Sequence, residues 1–319
     1  MRVLVTGATG MLGAGVARQL ASRGDHVTVM QRGASGLPFP EVRADVLDRA
    51  ALADACRGQD AVVHLAAKVS VVGGWEEFER VNVLGTRNLL EGASSAGAER
   101  FVYVSSPSVA HAGEPIVGAA AEPANPDSAR GHYARSKAIA EISALAASGA
   151  NFSVVAIRPH LVWGPGDTQL VGRIVDRARS GRLVLVGGGT ALIDSTYVDN
   201  AVTALVAAVD RAPALRGEAF VVTNGEPRTV AELLTRICRA AGVPEPTRSV
   251  PPAVAAAAGA VVDRAWARLD RDGEPPMTRF LAEQLSTAHW FDQRRTREAL
   301  QWTPHVSLAD GFRRLAEAT

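Results

Sequence analysis

Short apolar runs alternate with longer segments of mixed polarity along the first half of the chain. Five runs rich in β-branched residues occupy residues 3–5, 26–30, 61–65, 101–104 and 152–157. Between them, residues 13–22, 49–57, 76–95 and 132–147 place apolar side chains three or four positions apart, which is typical of helices with one buried face. This alternation predicts βαβ units and therefore a doubly wound α/β fold with a parallel sheet.

The pattern changes after residue 159, where Pro and Gly cluster at residues 164–166, 187–189 and 244–252. We expect residues 1–159 to form a Rossmann-type dinucleotide-binding domain, to which residues 193–223 return. Residues 160–192 and 224–319 are assigned to a smaller C-terminal substrate-binding lobe. The Ala-rich tract at residues 253–260 fits either a helix of small residues or a flexible lid over an apolar substrate.

Composition and charge narrow the function classes. The chain has 319 residues, of which 47% are hydrophobic, and its 34 basic and 33 acidic side chains give a net charge of +1. Because no basic run stands out, nucleic acid is excluded as a partner. Cys56 and Cys238 offer neither a disulfide framework nor metal-ligand spacing, so we expect no metal and a cytoplasmic location. Glycines interrupt the apolar start, which argues against a signal peptide, and no apolar stretch is long enough to span a bilayer.

A glycine-rich turn directly follows the first predicted strand and opens the first helix. Glycines at Gly7, Gly10 and Gly13 let the backbone turn tightly and approach a pyrophosphate, whose charge the helix N-terminus stabilises. The alternative is a tight turn without a ligand. The expected cofactor contacts in this turn are Gly7, Thr9, Gly10, Met11, Leu12 and Gly13.

The end of the second strand indicates which dinucleotide is bound. An acidic residue there binds the adenosine ribose of NAD, but this chain has Gln31 followed by Arg32. A guanidinium at this place favours the 2′-phosphate of NADPH over NAD, although a solvated arginine without a role would look the same. Asp45, after the next short strand, can accept a hydrogen bond from the adenine amino group or lie on an exposed loop.

The candidate catalytic residues are Ser106, Tyr133 and Lys137. Tyr133 and Lys137 are four residues apart and therefore lie on one helix face. We expect the ammonium to lower the phenol pKa from about 10, which makes Tyr133 a usable proton donor or acceptor. Ser106 is expected to orient a substrate carbonyl and share its developing charge. Spacing alone also fits a solvated helix face, and Ser105 competes with Ser106 for the same role.

Together these motifs resemble the extended short-chain dehydrogenase/reductase superfamily over nearly the whole chain. Residues 64–67 are similar to its fourth-strand motif, residues 82–86 to its central-helix motif and residues 294–315 to its C-terminal segment. The resemblance implies that Tyr133 and Lys137 also contact the cofactor. It adds to the expected cofactor contacts Val46, Leu65, Ala66, Ala67, Asn82 and Pro159.

Further stretches indicate a branch of this superfamily. Residues 157–167 resemble 3β-hydroxysteroid and sterol-4-carboxylate dehydrogenases, and residues 30–33, 107–111, 193–200 and 278–285 resemble bacterial reductases of 2-alkyl-3-oxoalkanoates. The second likeness implies NADPH-dependent reduction of a long-chain 2-alkyl-3-oxo acid in olefin biosynthesis, beside a β-lactone synthetase and a β-lactone decarboxylase. The alternatives are a sterol dehydrogenase, a nucleotide-sugar epimerase and a catalytically silent NAD(P)-binding regulator.

Several residues keep two interpretations. His160 either faces a substrate carboxylate or is an ordinary loop residue, and Asp199 is expected to cap the following helix. A homodimer is expected to pair through the helices at residues 76–95 and 132–147. Four aromatic side chains line an apolar, aliphatic or sterol-like substrate pocket or pack in the core: Trp163, Trp266, Trp290 and Phe291.

Overall fold

The computed structural model describes residues 1–70, 73–111, 113–269 and 278–319, with all of their side chains except those at positions 263, 267–269 and 280. Residues 270–277 of the predicted second lobe lie outside this description. The strands are β1 Arg2–Thr6, β2 His26–Gln31, β3 Glu41–Arg43, β4 Ala61–His64, β5 Arg100–Val104, β6 Ile116–Ala119, β7 Ser153–Pro159, β8 Val162–Trp163, β9 Leu185–Val186, β10 Leu192–Ile193, β11 Thr196–Tyr197, β12 Glu218–Val222, β13 Arg228–Thr229, β14 Ser249–Val250 and β15 His289–Phe291. The helices are α1 Met11–Ser22, α2 Arg49–Cys56, α3 Trp75–Phe78, α4 Gly85–Ser95, α5 Gly131–Ala146, α6 Val171–Arg179, α7 Val198–Arg211, α8 Val230–Ala240, α9 Pro252–Leu269, α10 Arg279–Ser286, α11 Arg294–Leu300 and α12 Leu308–Glu317.

Seven parallel strands form the central sheet in the order β12-β7-β5-β4-β1-β2-β3. The chain moves outward in one direction from β1 to β3 and in the other from β4 to β12, so the order reverses between β1 and β4. Ligands of such sheets bind beyond the carboxyl ends of the strands at this switch point. The predicted doubly wound Rossmann-type fold is confirmed.

The central strands are apolar on both faces because helices cover both sides of the sheet. Val3 and Val5 face one core and Leu4 the other, and all three are fully buried. Helices α1 and α7 pack together on the first side; a Cβ on Gly15 would lie 2.6 Å from Val202 Cγ2. Helices α2, α4 and α5 contribute to the opposite core. Burial on both faces explains why these strands appear as continuous apolar runs.

The helix predicted at residues 76–95 contains a π-helical turn, Glu79–Leu84, between α3 and α4. The wider turn places Asn82 in the protein interior, at 1% exposure. Single π-helical turns occur mostly at functional sites. Apolar periodicity predicted the helix, but it does not distinguish a π turn from an α turn.

A second sheet, in the order β13-β10-β15-β6, brings β6 from the first half of the chain against β15 from near its end. His160, directly after β7 of the central sheet, packs its ring against His289 and Phe291 of β15. The Ala-rich tract lies within helix α9.

No helix in the described ranges has the length and apolar character needed to cross a membrane. The division into two lobes stays a prediction.

One expectation about side chains needs correction, and one of the two interpretations of Trp163 is selected. Asp199 does not cap α7: the cap residue is Tyr197, and Asp199 lies in the first turn, 2.9 Å from Arg314. Its carboxylate is still favourably placed there because a helix N-terminus stabilises negative charge. Trp163 belongs to the core, since its ring is fully buried and stacks on Phe312 with centroids 4.5 Å apart.

A buried ion pair joins β7 to α5. Arg158 Nε donates to Glu141 Oε2 at 2.9 Å, and Arg158 Nη1 donates to the carbonyl of Glu122 at 2.7 Å. Both charged side chains are 1% exposed. The pair connects the helix that carries Tyr133 to the strand that ends at Pro159.

We predict that Glu141→Gln destabilises the protein by about 3 kcal/mol, because it leaves the buried Arg158 guanidinium without a counter-charge. The matched control is Glu91→Gln, whose carboxylate pairs with Arg49 but is 59% exposed. That change should cost less than about 1 kcal/mol. Urea unfolding of both variants measures the difference, and equal losses would contradict a structural role for the buried pair.

Candidate active site

The turn between β1 and α1 needs glycine at two positions. Gly7 has a φ of +74°, and a Cβ there would lie 2.7 Å from Ala66 N. A Cβ on Gly13 would lie 2.4 Å from Gly7 O, so α1 packs directly on the turn. Gly10 is different, because its nearest neighbour, Gly7 O, is 3.6 Å away. Gly7 and Gly13 are therefore required by close backbone contacts within the protein, whereas the space beside Gly10 is open to a ligand.

The N-terminus of α1 is open. Its cap residue is Gly10, which makes no side-chain hydrogen bond to the helix, and the first turn carries no acidic residue. Thr9 and Gly10 are exposed, while Met11 and Leu12 are half-buried. Open N–H groups and a positive helix end suit a pyrophosphate. The residues of this turn therefore fit a dinucleotide.

At the end of β2 the structure places a carboxylate that the sequence did not indicate. Gln31 is 7% exposed, and its Nε2 donates to Glu41 Oε2 of β3 at 2.9 Å. Glu41 also accepts hydrogen bonds from Ser35 N and Arg43 Nε, and these contacts hold the pKa of its carboxyl at about 2. Arg32 is exposed beside this cluster. The sequence pattern does not indicate this carboxylate, because Glu41 is ten residues from Gln31 and comes next to it only when β3 pairs with β2.

The loop after β3 is held against the central helix. Asp45 Oδ1 accepts a hydrogen bond from Leu47 N at 2.9 Å, and Asp45 is half-buried. Val46 is 8% exposed, and Asn88 Nδ2 donates to its carbonyl at 3.3 Å. A Cβ on Gly85 would lie 2.5 Å from Val46 Cγ2. Asp45 and Val46 thus lie at the carboxyl end of β3, on the same edge of the sheet as the glycine turn.

Ser106 and Tyr133 meet at the carboxyl end of β5. Ser106 caps a 3₁₀ turn, Pro107–Ala110, and its Oγ accepts from the N–H of Ser108 at 3.3 Å and from the Ser108 hydroxyl at 3.0 Å. Its own proton is thereby available for the Tyr133 phenol. Burial raises the pKa of Tyr133 to about 12, and the hydrogen bond from Ser106 opposes that rise.

Ser105 occupies a different environment. Its N–H continues the sheet ladder to Ile157 O at 2.7 Å, and its buried hydroxyl has no hydrogen-bond partner among the described residues. Of the two adjacent serines, Ser106 is the one whose side chain affects the pKa of Tyr133.

Lys137 does not act on Tyr133 in the way the spacing suggested. Its Nζ donates to Val104 O at 2.6 Å and lies 4.1 Å from the centre of the Tyr103 ring. Burial lowers the pKa of Lys137 to about 7. The expected lowering of the Tyr133 pKa is therefore wrong for this structure, because burial dominates at both groups.

Asn82 links the loop after β4 to the catalytic helix. Its Oδ1 accepts from Lys68 N at 2.7 Å, and its Nδ2 donates to Ser136 Oγ at 2.9 Å. Ser136 in turn donates to the carbonyl of Tyr133 at 2.8 Å. Leu65, Ala66 and Ala67 are half-buried on the loop that Asn82 holds, and Pro159 is half-buried at the end of β7. The structure thus gathers these predicted residues along one edge of the sheet.

The fold and these motifs define the class of protein. The model of the NAD dependent epimerase/dehydratase family matches residues 3–223, and the chain belongs to this family of extended short-chain dehydrogenases/reductases. It is an NAD(P)-dependent oxidoreductase.

Individual relatives cover nearly the whole chain. A 2-alkyl-3-oxoalkanoate reductase from Stenotrophomonas maltophilia is 41% identical over 99% of this chain and 98% of the relative. The human sterol-4-alpha-carboxylate 3-dehydrogenase, decarboxylating, is 30% identical over 99% and 88% of the two chains. The solved structure of MoeE5 in complex with UDP-glucose and NAD is 26% identical, with a TM-score of 0.76 over 100% of this chain and 98% of MoeE5.

We predict that Lys137→Met stabilises the protein in a pH-dependent way. The folded pKa of about 7 lies below the usual 10.5, so the buried lysine costs stability as the pH falls from 10.5 to 7. The advantage of the variant in free energy of unfolding should therefore be larger at pH 6.5 than at pH 9.5, by about 2 to 3 kcal/mol. Urea unfolding at both pH values measures it.

The control is Lys68→Met, which replaces the only other lysine of the sequence. Lys68 is 26% exposed and pairs with Glu77 at 2.7 Å. An equal pH dependence in both variants would show that burial of Lys137 is not the cause.

Proposed function

We propose that this chain reduces a long-chain 2-alkyl-3-oxoalkanoic acid to the 2-alkyl-3-hydroxy acid, with NADPH as the reductant. The observation that carries the proposal is the packing of the helix that bears Tyr133 against the 3₁₀ turn that Ser106 caps, at the carboxyl end of β5, where Ser106 opposes the rise in the pKa of the Tyr133 phenol. The likeness to the Stenotrophomonas reductase supports the substrate class. The glycine turn, Arg32, Asp45 and Val46 are assigned to the adenosine diphosphate part of the cofactor.

We assign the nicotinamide end of the cofactor to residues that follow the carboxyl ends of the central strands or lie on the helices beside them. These residues are Leu65, Ala66, Ala67, Asn82, Tyr133, Lys137 and Pro159. When bound, the reduced nicotinamide supplies a hydride to the ketone carbon.

Tyr133 is assigned as the proton donor. A phenol with a pKa of about 12 is protonated at neutral pH, so it can give its proton to the carbonyl oxygen as negative charge develops there. Ser106 donates a second hydrogen bond to the same oxygen, since its acceptor positions are used by Ser108. Lys137, which lies on the same helix face as Tyr133 and whose Nζ donates to Val104 O, is assigned to hold the cofactor rather than to lower the pKa of the phenol.

A cavity beside Ser106 supports a substrate with an aliphatic part. Its volume is about 420 Å³, and its lining includes Pro107, the residue after Ser106. Most of the lining is apolar, with Ala110, Ile116, Val117 and Phe291 among it, and the polar part consists of His111, Glu114, Glu122 and Arg158. A mostly apolar lining with a few polar groups suits a hydrocarbon chain that carries a polar head. The human relative named for a sterol carboxylate makes sterol oxidation the second candidate.

The proposed partners follow from the proposed reaction. A 3-hydroxy acid is the substrate that a β-lactone synthetase needs, and a β-lactone decarboxylase would act after it. A second copy of this chain is proposed to bind through Leu84 and Ile142, which are 45% and 46% exposed at the helices predicted to pair. Sedimentation velocity of the purified protein measures that association.

We predict that the purified protein oxidises NADPH with a 2-alkyl-3-oxo acid and is slower with a 3-ketosteroid or a nucleotide sugar. Tyr133→Phe should lower kcat at least about 100-fold, because it removes the proton donor. Ser106→Ala should lower kcat about 100-fold through loss of one hydrogen bond to the oxyanion. The matched control is Ser105→Ala, which should retain most of the activity. Turnover of all three substrates at background rates would refute the proposal.

We predict that Arg32→Ala weakens NADPH binding about tenfold and leaves NADH binding within a factor of two, because only NADPH carries the 2′-phosphate. Fluorescence titration of the purified protein with both nucleotides measures the ratio. Arg49→Ala is the control, since Arg49 is exposed on α2 and pairs with Glu91. An unchanged ratio in Arg32→Ala would remove Arg32 from the cofactor site and favour a role for Glu41 in ribose binding.

A further inference from the structure

Three buried histidines meet where the second sheet covers the carboxyl edge of the central sheet. His111 follows the 3₁₀ turn that Ser106 caps, His160 follows β7, and His289 begins β15. Their exposed fractions are 3%, 8% and 2%. The ring centroids of His111 and His289 are 4.8 Å apart, and those of His160 and His289 are 6.2 Å apart.

Two of these rings carry a nitrogen that pairs with nothing in the described structure. The Nε2 atoms of His111 and His160 are buried and have no hydrogen-bond partner there. His289 is satisfied: the Thr287 hydroxyl donates to Glu283 O at 2.8 Å, so Thr287 Oγ1 accepts from His289 Nε2 at 2.9 Å. Buried polar atoms are normally paired, so two unpaired nitrogens in one cluster call for a ligand.

The backbone around His160 is held in place. Its N–H donates to Val222 O at 3.1 Å, and its carbonyl accepts from the Thr196 hydroxyl at 2.7 Å. Leu161, the next residue, has a φ of +43°, in the left-handed region that is strained for leucine. Strain of this kind persists where the surroundings impose it, and it concentrates at functional sites.

The position of the cluster relative to Ser106 limits what can bind. Ser106 follows β5 and His160 follows β7, and these strands are adjacent in the sheet, with Val104 paired to Ile157. Adjacent strands are about 4.8 Å apart. In a 3-oxo acid a single carbon separates the ketone from the carboxyl group, so one molecule can place its ketone at Ser106 and its carboxylate toward His160.

Charged side chains of both signs surround His111, at one end of the histidine cluster. Glu283 and Glu114 favour the protonated form of His111, whereas Arg130 opposes it. Burial, with the neighbouring His289 and His111 adding to it, lowers the pKa of His160 to about 3, and burial lowers that of His289 to about 4. Both rings are therefore neutral at pH 7 before a ligand binds. No three His, Cys, Asp or Glu side chains within the described ranges are placed to hold a metal ion.

We propose that His111 and His160, backed by His289, form the subsite that binds the carboxylate of the substrate. Each unpaired Nε2 donates a hydrogen bond to one carboxylate, and a proton taken up by the cluster balances the buried charge. The subsite rests on the proposed function, because it deepens the assignment of a 3-oxo acid as substrate. It makes these histidines specificity residues for the acid over neutral ketones.

The kinetic test compares a 2-alkyl-3-oxo acid with its methyl ester, which keeps the ketone and lacks the charge. His160→Phe keeps an aromatic ring against Phe291, whose centroid lies 5.2 Å from that of His160. We expect the ratio of kcat/KM for the acid to that for the ester to fall at least about tenfold, the loss typical of a hydrogen bond to a charged group. His305→Phe, at an exposed position, is the control. A ratio unchanged in His160→Phe overturns the proposal.

A binding test separates this proposal from the proposed function. Calorimetric titration with a 2-alkyl alkanoic acid, which has no ketone to reduce, is run in two buffers of different ionisation enthalpy. We expect proton uptake on binding at pH 7.5, and its loss in His160→Gln, whose amide still donates a hydrogen bond but cannot take up a proton. Binding without proton uptake in the unmodified protein overturns the subsite.

The combined outcomes remain distinguishable. If the protein binds the acid with proton uptake yet reduces no oxo acid, the proposed function fails and the subsite stands. If it reduces the oxo acid and His160→Phe keeps the acid-to-ester ratio, the subsite fails and the proposed function stands. Circular dichroism of each variant shows whether the fold is kept. His160→Gln should still bind the acid with reduced affinity, which separates loss of the site from loss of the fold.

Discussion

One chain of buried hydrogen bonds connects β1, which precedes the glycine turn, to the helix that carries Tyr133 and Lys137. Ala66 N–H donates to Thr6 Oγ1, which lies 2.7 Å from His64 Nδ1, and His64 Nε2 lies 3.0 Å from Thr86 Oγ1. Thr86 gives its single proton to Asn82 O, so it accepts from His64 Nε2, and Nε2 is the protonated ring nitrogen. The Thr6 hydroxyl then donates to His64 Nδ1, and the Thr86 hydroxyl donates to Asn82 O.

The chain of hydrogen bonds continues from Asn82 to the helix that carries Tyr133. Asn82 carries the connection onward to Ser136, and Ser136 binds the carbonyl of Tyr133. The backbone of Tyr133 is therefore connected to β1 and β4 through side-chain hydrogen bonds. Burial lowers the pKa of His64 to about 3, and the Lys137 charge adds to this effect. The imidazole ring therefore stays neutral, with its proton on Nε2.

The sequence predicted those parts of the site that depend on local geometry. β-branched runs identified the strands, since buried parallel strands are continuously apolar, and Gly7, Gly10 and Gly13 were recognisable because their spacing directly follows a predicted strand. The carboxylate that the sequence missed is brought to Gln31 by the pairing of two neighbouring strands. Glu41 reaches Gln31 across β2 and β3, and no local pattern marks that contact.

Burial also reversed an expectation that spacing alone had supported. Tyr133 and Lys137 do share a helix face, but placing both in a dry site disfavours the charged form of each, so the phenol holds its proton more tightly and the amine less tightly. That outcome is what the proposed reduction requires, since a phenol assigned as proton donor must arrive protonated and lose its proton only when the carbonyl oxygen acquires charge. Burial thus keeps Tyr133 in the protonated form that the proposal needs.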